Sequence, residues 1–310
     1  MKSNKMKKAM KKKILEICKK SKVSFGEALS KHTTFRIGGL AEAFIYCEDI
    51  EELKRIIAFF KKVGLSYCVI GNGSNLLVSD KGIKGCVVKL GNIFSEVAFN
   101  KERIIVGSAC SLQKLIFSAA EKGLSGIESL SGIPGTVGGA VIANAGAWGN
   151  SIGNHVISIK VLTEYGKLMV MKKNDLKFSY RESILKKKNR KAIIIEIELG
   201  NFKKESPKTV KEKIKSVSVL RKTTQPFGQP SPGCIFKNPR QAAAGMLIDF
   251  AGIKRTKIGR AQVSEKHANF IVNNSRAKAI DVIKLIEYIR KEIKKNFGIN
   301  LELEIEKWGF

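Results

Sequence analysis

Ser131-Gly132-Ile133-Pro134-Gly135-Thr136-Val137-Gly138-Gly139, running on into Asn144-Ala145-Gly146-Ala147, is a stretch with little side chain to offer. A second glycine cluster lies upstream, Gly71-Asn72-Gly73-Ser74-Asn75. Without a Cβ, glycine enters positive φ at little cost and lets backbone N–H groups turn toward a close ligand. Glycine clusters also mark ordinary turns. Gly71-Asn72-Gly73 lacks the third glycine of a dinucleotide fingerprint, and no Gly-Lys-Ser/Thr phosphate loop occurs in the chain. Two such loops between apolar segments point instead to a long anionic ligand, held at its phosphates by main-chain donors rather than by lysines.

Outward from these loops the pattern alternates between helix and strand. Met6, Met10, Ile14 and Ile17 stand near helical spacing and predict an amphipathic helix over about 5–20. Asp49 with Glu52 three residues on reads as a capping box. The helix it opens turns Leu53, Ile56, Ile57 and Phe60 inward and stops at Gly64. Tyr67–Ile70 is a strand that feeds the first glycine loop, and strands follow at 87–90 and 104–106. Ser111 caps a helix ending at Gly123, just before the second loop. Val156–Thr163 and Leu168–Val170 form a hairpin about Tyr165-Gly166, and Ile193–Leu199 adds a strand. Lys203-Lys204-Glu205-Ser206-Pro207 reads as a linker. Beyond it come helices at 209–221, 242–250 and 279–297, a strand about 270–272 and a closing strand over 301–305. The fold class is α+β.

Composition bounds the function. The chain has 310 residues and a formal net charge of +30, with 44% hydrophobic and 7% aromatic residues. That length buries a large core and favours more than one domain. The charge could serve a polyanion, but basic residues are scattered from Lys2 to Lys307 and aromatic stacking platforms are scarce. A lysine-rich solvated surface fits better, with a field that draws in small anions; no nucleic acid is expected as partner. The six cysteines form no Cys-x-x-Cys pair, and the three histidines are widely separated, so no metal site is expected. Cysteines in apolar runs suit a reducing cytoplasm. No apolar run approaches a membrane span.

The ordered motifs carry a resemblance. The two glycine runs are followed by Tyr180-Arg181-Glu182-Ser183, Gly233-Cys234-Ile235-Phe236-Lys237-Asn238-Pro239, Val263-Ser264-Glu265-Lys266-His267-Ala268-Asn269-Phe270 and Leu301-Glu302-Leu303-Glu304-Ile305. In this order they resemble the UDP-N-acetylenolpyruvoylglucosamine reductase (MurB) family, across nearly everything after about residue 23. The absence of tyrosine between Arg181 and Cys234 resembles the shorter form of that family, which lacks a tyrosine-bearing lid insertion. The basic N-terminal helix, taken as 1–22, lies outside the resemblance. The resemblance implies an FAD-binding portion of the vanillyl-alcohol-oxidase-like (PCMH) type at 23–205, made of two α/β subdomains split near residue 100. The remaining 206–310 would be a C-terminal α+β substrate domain.

It also implies tightly held, non-covalent FAD, NADPH as co-substrate, and reduction of the enolpyruvyl ether of UDP-N-acetylglucosamine to UDP-N-acetylmuramate by a cytoplasmic monomer. Gly71, Asn72, Gly73, Ser74 and Asn75 would bind the cofactor. So would Ser131, Gly132, Ile133, Gly135, Thr136, Gly138, Asn144 and Gly146. Arg181 suits the carboxylate and the enolate that develops beside it, because it is permanently charged and bidentate. Glu304 is the matching acid, although alternation puts Glu302, Glu304 and Glu306 on one face and does not choose among them. Cys234 stands where the family usually has serine as proton donor; a thiol also donates a proton and is the stronger acid. Tyr180, Arg221 and Asn238 would contact substrate, and His267 reads as structural. The competing readings are another FAD-dependent oxidoreductase of the same fold and a basic nucleic-acid-binding protein.

Overall fold

The computed structural model describes residues 6–186 and 192–310, so residues 1–5 of the expected 1–22 helix lie outside them. Eight α-helices occur among the described residues. They are α1 (Lys8–Ile17), α2 (Ile50–Val63), α3 (Leu112–Glu121), α4 (Val137–Ile142), α5 (Lys173–Leu176), α6 (Pro207–Thr224), α7 (Ala244–Phe250) and α8 (Ala279–Phe297). The chain divides into two compact units. One comprises Met1–Phe25, Ala43–Gly71 and Gly85–Leu220; the other comprises Gly26–Glu42, Asn72–Lys84 and Arg221–Phe310. Compactness therefore divides the chain inside α6 rather than at Lys203–Pro207. Two early segments go with the C-terminal residues because Phe35, Ile37 and Leu77 bury in the second unit's core.

In the first unit, α1 and α2 cover a sheet whose strand order is Lys22–Ala28, Leu40–Cys47, Ile83–Leu90, Tyr67–Ile70. Ile14 and Cys18 pack with Leu53, Ile56, Ile57 and Phe60 of α2 and with Ile45, Cys86 and Val88 of the sheet. Asp49 caps α2 by accepting from the N–H groups of Glu51 and Glu52, and Gly64 ends it at φ 64°. The capping box does not close. The Glu52 carboxylate instead accepts from the N–H groups of Lys19 (2.7 Å), Lys20 (2.7 Å) and Ser21 (3.0 Å), where the chain leaves α1. A five-stranded antiparallel sheet follows, in the order Leu168–Lys172, Val156–Thr163, Ala192–Leu199, Arg103–Gly107, Val97–Asn100. Its apolar face packs on α3 and α4, with Val210 and Ile214 of α6 closing the same core.

The second unit wraps α7 and α8 about a three-stranded antiparallel sheet, Lys257–Ile258, Ala261–Val263, Ile271–Asn273. Asp80, nearly two hundred residues upstream, accepts from the first N–H groups of α8, at Ala279 (2.9 Å) and Ile280 (3.2 Å). The predicted closing strand is displaced. Only Leu303 bridges, to Phe236, and the ladder begins at Glu306–Trp308, parallel to Leu76–Val78. The Glu304 carbonyl accepts from the Asn75 side-chain amide (3.1 Å) instead of from a neighbouring strand, which interrupts the pairing at that residue. No helix among the described residues is long and apolar enough to cross a membrane.

Candidate active site

Within the first unit the two glycine runs touch. A Cβ on Gly71 would lie 2.6 Å from the Thr136 hydroxyl, so glycine is what lets the end of the Tyr67–Ile70 strand close on the second run. Thr136 is the N-cap of α4 and accepts from Gly139 N–H (3.2 Å). The next donors of α4 are taken up by protein: Val137 N–H by Cys110 O (2.8 Å) and Gly138 N–H by Ser108 O (2.9 Å). In this run the main-chain donors left open lie in the loop before α4, where Gly132 (φ 80°) and Gly135 (φ 144°) hold positive-φ conformations that favour glycine. Ile133 N–H bonds Leu130 O, and Ser131 is buried with its hydroxyl between Gln113 Oε1 (3.4 Å) and Ser218 Oγ (3.3 Å).

Arg181 joins this assembly. Its guanidinium donates to Gly146 O (2.7 Å) and stands over the ring of Tyr180, which is exposed. Asn144 is buried and holds the turn that carries Arg181: Nδ2 donates to Ser179 O (2.7 Å) and Oδ1 accepts from Gly153 N–H (3.1 Å). Its side chain is thus engaged in positioning the turn. Arg181 itself sits at φ 57°, a conformation that side-chain-bearing residues take only when their surroundings impose it.

The second unit makes its own assembly. Gly73, at φ 60°, faces His32 O so closely that a Cβ would stand 2.2 Å from it, and Gly73 O accepts from Thr34 N–H (3.3 Å). Asn75 fixes the Glu304 strand twice, by its side chain to Glu304 O and by its own carbonyl, which accepts Glu306 N–H (2.9 Å). Glu304 N–H in turn donates to Ile235 O (2.8 Å), the residue after Cys234. The first glycine loop, Glu304 and the Cys234 segment are therefore one hydrogen-bonded assembly. Among the three glutamates, Glu302 is exposed and pairs with Lys237 (3.5 Å), whereas Glu304 and Glu306 are both half-buried, Glu304 beside the Cys234 segment. Cys234 is half-buried, follows Gly233 at φ 85° and bridges to Phe270.

Asn269 is the residue that sequence reasoning passed over. It is buried and grips Phe236 on both backbone sides, accepting from its N–H (2.9 Å) and donating to its carbonyl (2.8 Å). An asparagine against the apolar run Phe270-Ile271-Val272 was the signal, since a buried amide requires partners. His267 is structural in geometry. Its Nδ1 accepts from Asn269 N–H (3.2 Å), its ring packs on Phe270, and burial pushes its pKa below the usual histidine range. Asn238 is exposed, yet its Oδ1 accepts from Ala244 N–H (3.0 Å) at the start of α7. Arg221 is buried in α6.

The residues of the first unit fit the diphosphate of a flavin dinucleotide. Gly71 meets Thr136 where only side-chain-free backbone can pass, and positive φ at Gly132 and Gly135 shapes the loop alongside.

Comparison with known proteins gives the family. Residues 225–308 match the family model for the C-terminal domain of UDP-N-acetylenolpyruvoylglucosamine reductase, and residues 41–172 match an FAD binding domain. A reductase of that name from Bacillus licheniformis is 42% identical over 288 residues, 93% of this chain and 94% of its own. One from Caldanaerobacter subterraneus is 40% identical over 299 residues, covering 96% and 97%. The crystal structure of the Thermus caldophilus enzyme superposes with a TM-score of 0.78 at 35% identity, over 93% of this chain and 99% of that one. By sequence, by family model and by fold, the chain belongs to the UDP-N-acetylenolpyruvoylglucosamine reductase family.

Proposed function

We propose that the chain reduces the enolpyruvyl ether of UDP-N-acetylglucosamine to UDP-N-acetylmuramate, a step in making peptidoglycan precursor, with NADPH as reductant and FAD as carrier. The carrying observation is the hydrogen-bonded assembly in which Asn75 of the first glycine loop holds Glu304, and Glu304 holds the Cys234 segment. When bound, the flavin would supply the hydride chemistry, with NADPH as the source of the reducing equivalents. Gly71 to Asn75 and the run from Ser131 to Gly146 are the residues that would hold it.

The protein's own groups manage charge and protons. Arg181 binds the substrate carboxylate and stabilises the negative charge that develops beside it. Its anchor on Gly146 O fixes the approach of the guanidinium. The Cys234 thiol gives its proton to the carbon bearing the carboxylate and regains one from solvent, while Glu304, when protonated, can donate a hydrogen bond to the enolate oxygen. Tyr180, Arg221 and Asn238 bind substrate. Functionally, 23–205 serves the cofactor and 206–310 the sugar nucleotide. The described cysteines are free thiols, in keeping with a reducing cytoplasm, where we place a monomeric enzyme.

The test is NADPH oxidation that requires the enolpyruvyl sugar nucleotide and is carried by a yellow protein. Cys234→Ser should retain substantial turnover, whereas Cys234→Ala should lose about 10²–10⁴-fold in kcat. Full activity in the alanine variant would remove the thiol from the chemistry. NADPH oxidation indifferent to that substrate would remove the assignment.

A further inference from the structure

Lys89 is the next-to-last residue of the Ile83–Leu90 strand and stands in register with Ile70, whose strand runs parallel to it. Both strands leave the sheet at the same edge, and the residue after Ile70 is Gly71, where the two glycine runs meet. Ligands of parallel sheets bind beyond the carboxyl ends of the strands. Cys86, Val88 and Leu90 turn into the core beneath α1 and α2, so by alternation Lys89 turns to the opposite face with Val87.

Its surroundings differ from those of the lysines that pair. Lys20, Lys61, Lys160 and Lys213 reach carboxylates at 2.6–2.8 Å. Lys89 is half-buried, and its side chain makes no hydrogen bond or ion pair among the described residues. Burial pushes its pKa below the usual lysine value. An ammonium drawn out of water without a counter-charge is costly, and a protein keeps one where a ligand supplies the charge.

We propose that Lys89 is the counter-ion of a diphosphate bound where the two glycine runs meet, that of the flavin dinucleotide. This rests on the function proposed above and deepens it: backbone donors orient the phosphates, and one sunken lysine neutralises them.

The test uses the full chain loaded with FAD, measuring the dissociation constant by the flavin fluorescence recovered on dilution, at low and at high salt. Lys89→Met should raise the FAD dissociation constant at low salt by about tenfold or more, with the gap to wild type narrowing at high salt. Lys89→Arg should stay near wild type. Riboflavin, which has no phosphate, should bind wild type and Lys89→Met alike. The KM for the UDP-sugar should not change in FAD-saturated Lys89→Met, which separates the flavin diphosphate from that of the substrate. Lys89→Gln reads the same if the methionine variant folds poorly. Equal FAD affinity in wild type and variant overturns the inference, and so does an equal loss for riboflavin, which would mark a structural role. If wild type itself binds no FAD, the proposed function falls instead.

Discussion

Asn269 shows how a single buried amide fixes the backbone beside a candidate proton donor. It holds both backbone groups of Phe236, two residues beyond Cys234, and its own carbonyl accepts from Ile235 N–H (2.8 Å). Asn269→Ala leaves a buried donor and a buried acceptor without partners. The expected cost is about 2–4 kcal/mol in denaturant unfolding, with kcat falling further than FAD affinity because the Cys234 segment loosens. A variant as stable as wild type would show that the clamp is dispensable. Asn144 plays a comparable part beneath Arg181. In both, a short amide replaces a strand neighbour, in turns where no ladder is available to satisfy the backbone.

At the scale of elements, the join between α1 and α2 carries a pH-dependent tie. Burial pushes the Glu52 carboxyl up, but hydrogen bonds from Ser21, Lys20 and Lys19 outweigh it and hold the pKa below the ordinary 4.5. A carboxyl that titrates lower in the folded state stabilises above the unfolded pKa and loses that contribution as pH falls through the folded one. Glu52→Gln should therefore lower Tm near neutral pH, by about 1–2 kcal/mol of stability. The difference from wild type should close in acid. A Tm difference independent of pH would refute the tie. The same join explains why α1, a lysine-rich segment outside the family motifs, belongs to the fold: Ile14 is fully buried against α2.

At the scale of the molecule, the +30 charge acts at a distance. Both proposed substrates are anions, and a positive field raises their encounter rate in a salt-dependent way. kcat/KM for NADPH and for the sugar nucleotide should fall as ionic strength rises, while kcat changes little. Stopped-flow flavin reduction over a salt series measures this; a flat profile would assign the charge to composition alone.

Local signals made much of this legible in advance. Asp49, Ser111 and Gly64 announced helix ends because caps act on the nearest turn, and 156–163 and 279–297 read directly as strand and helix from their periodicity. The glycine runs and the motif order identified the family and nominated Arg181, Cys234 and Glu304. What the chain could not announce was every partner distant in sequence. Glu52 left its own helix for the turn after α1, Asp80 capped α8, Asn75 took the carbonyl of Glu304, and Lys89 was left without a carboxylate. Helix caps and periodicity are short-range and are written in neighbouring residues. Which buried donor meets which acceptor depends on segments brought together only when the core closes.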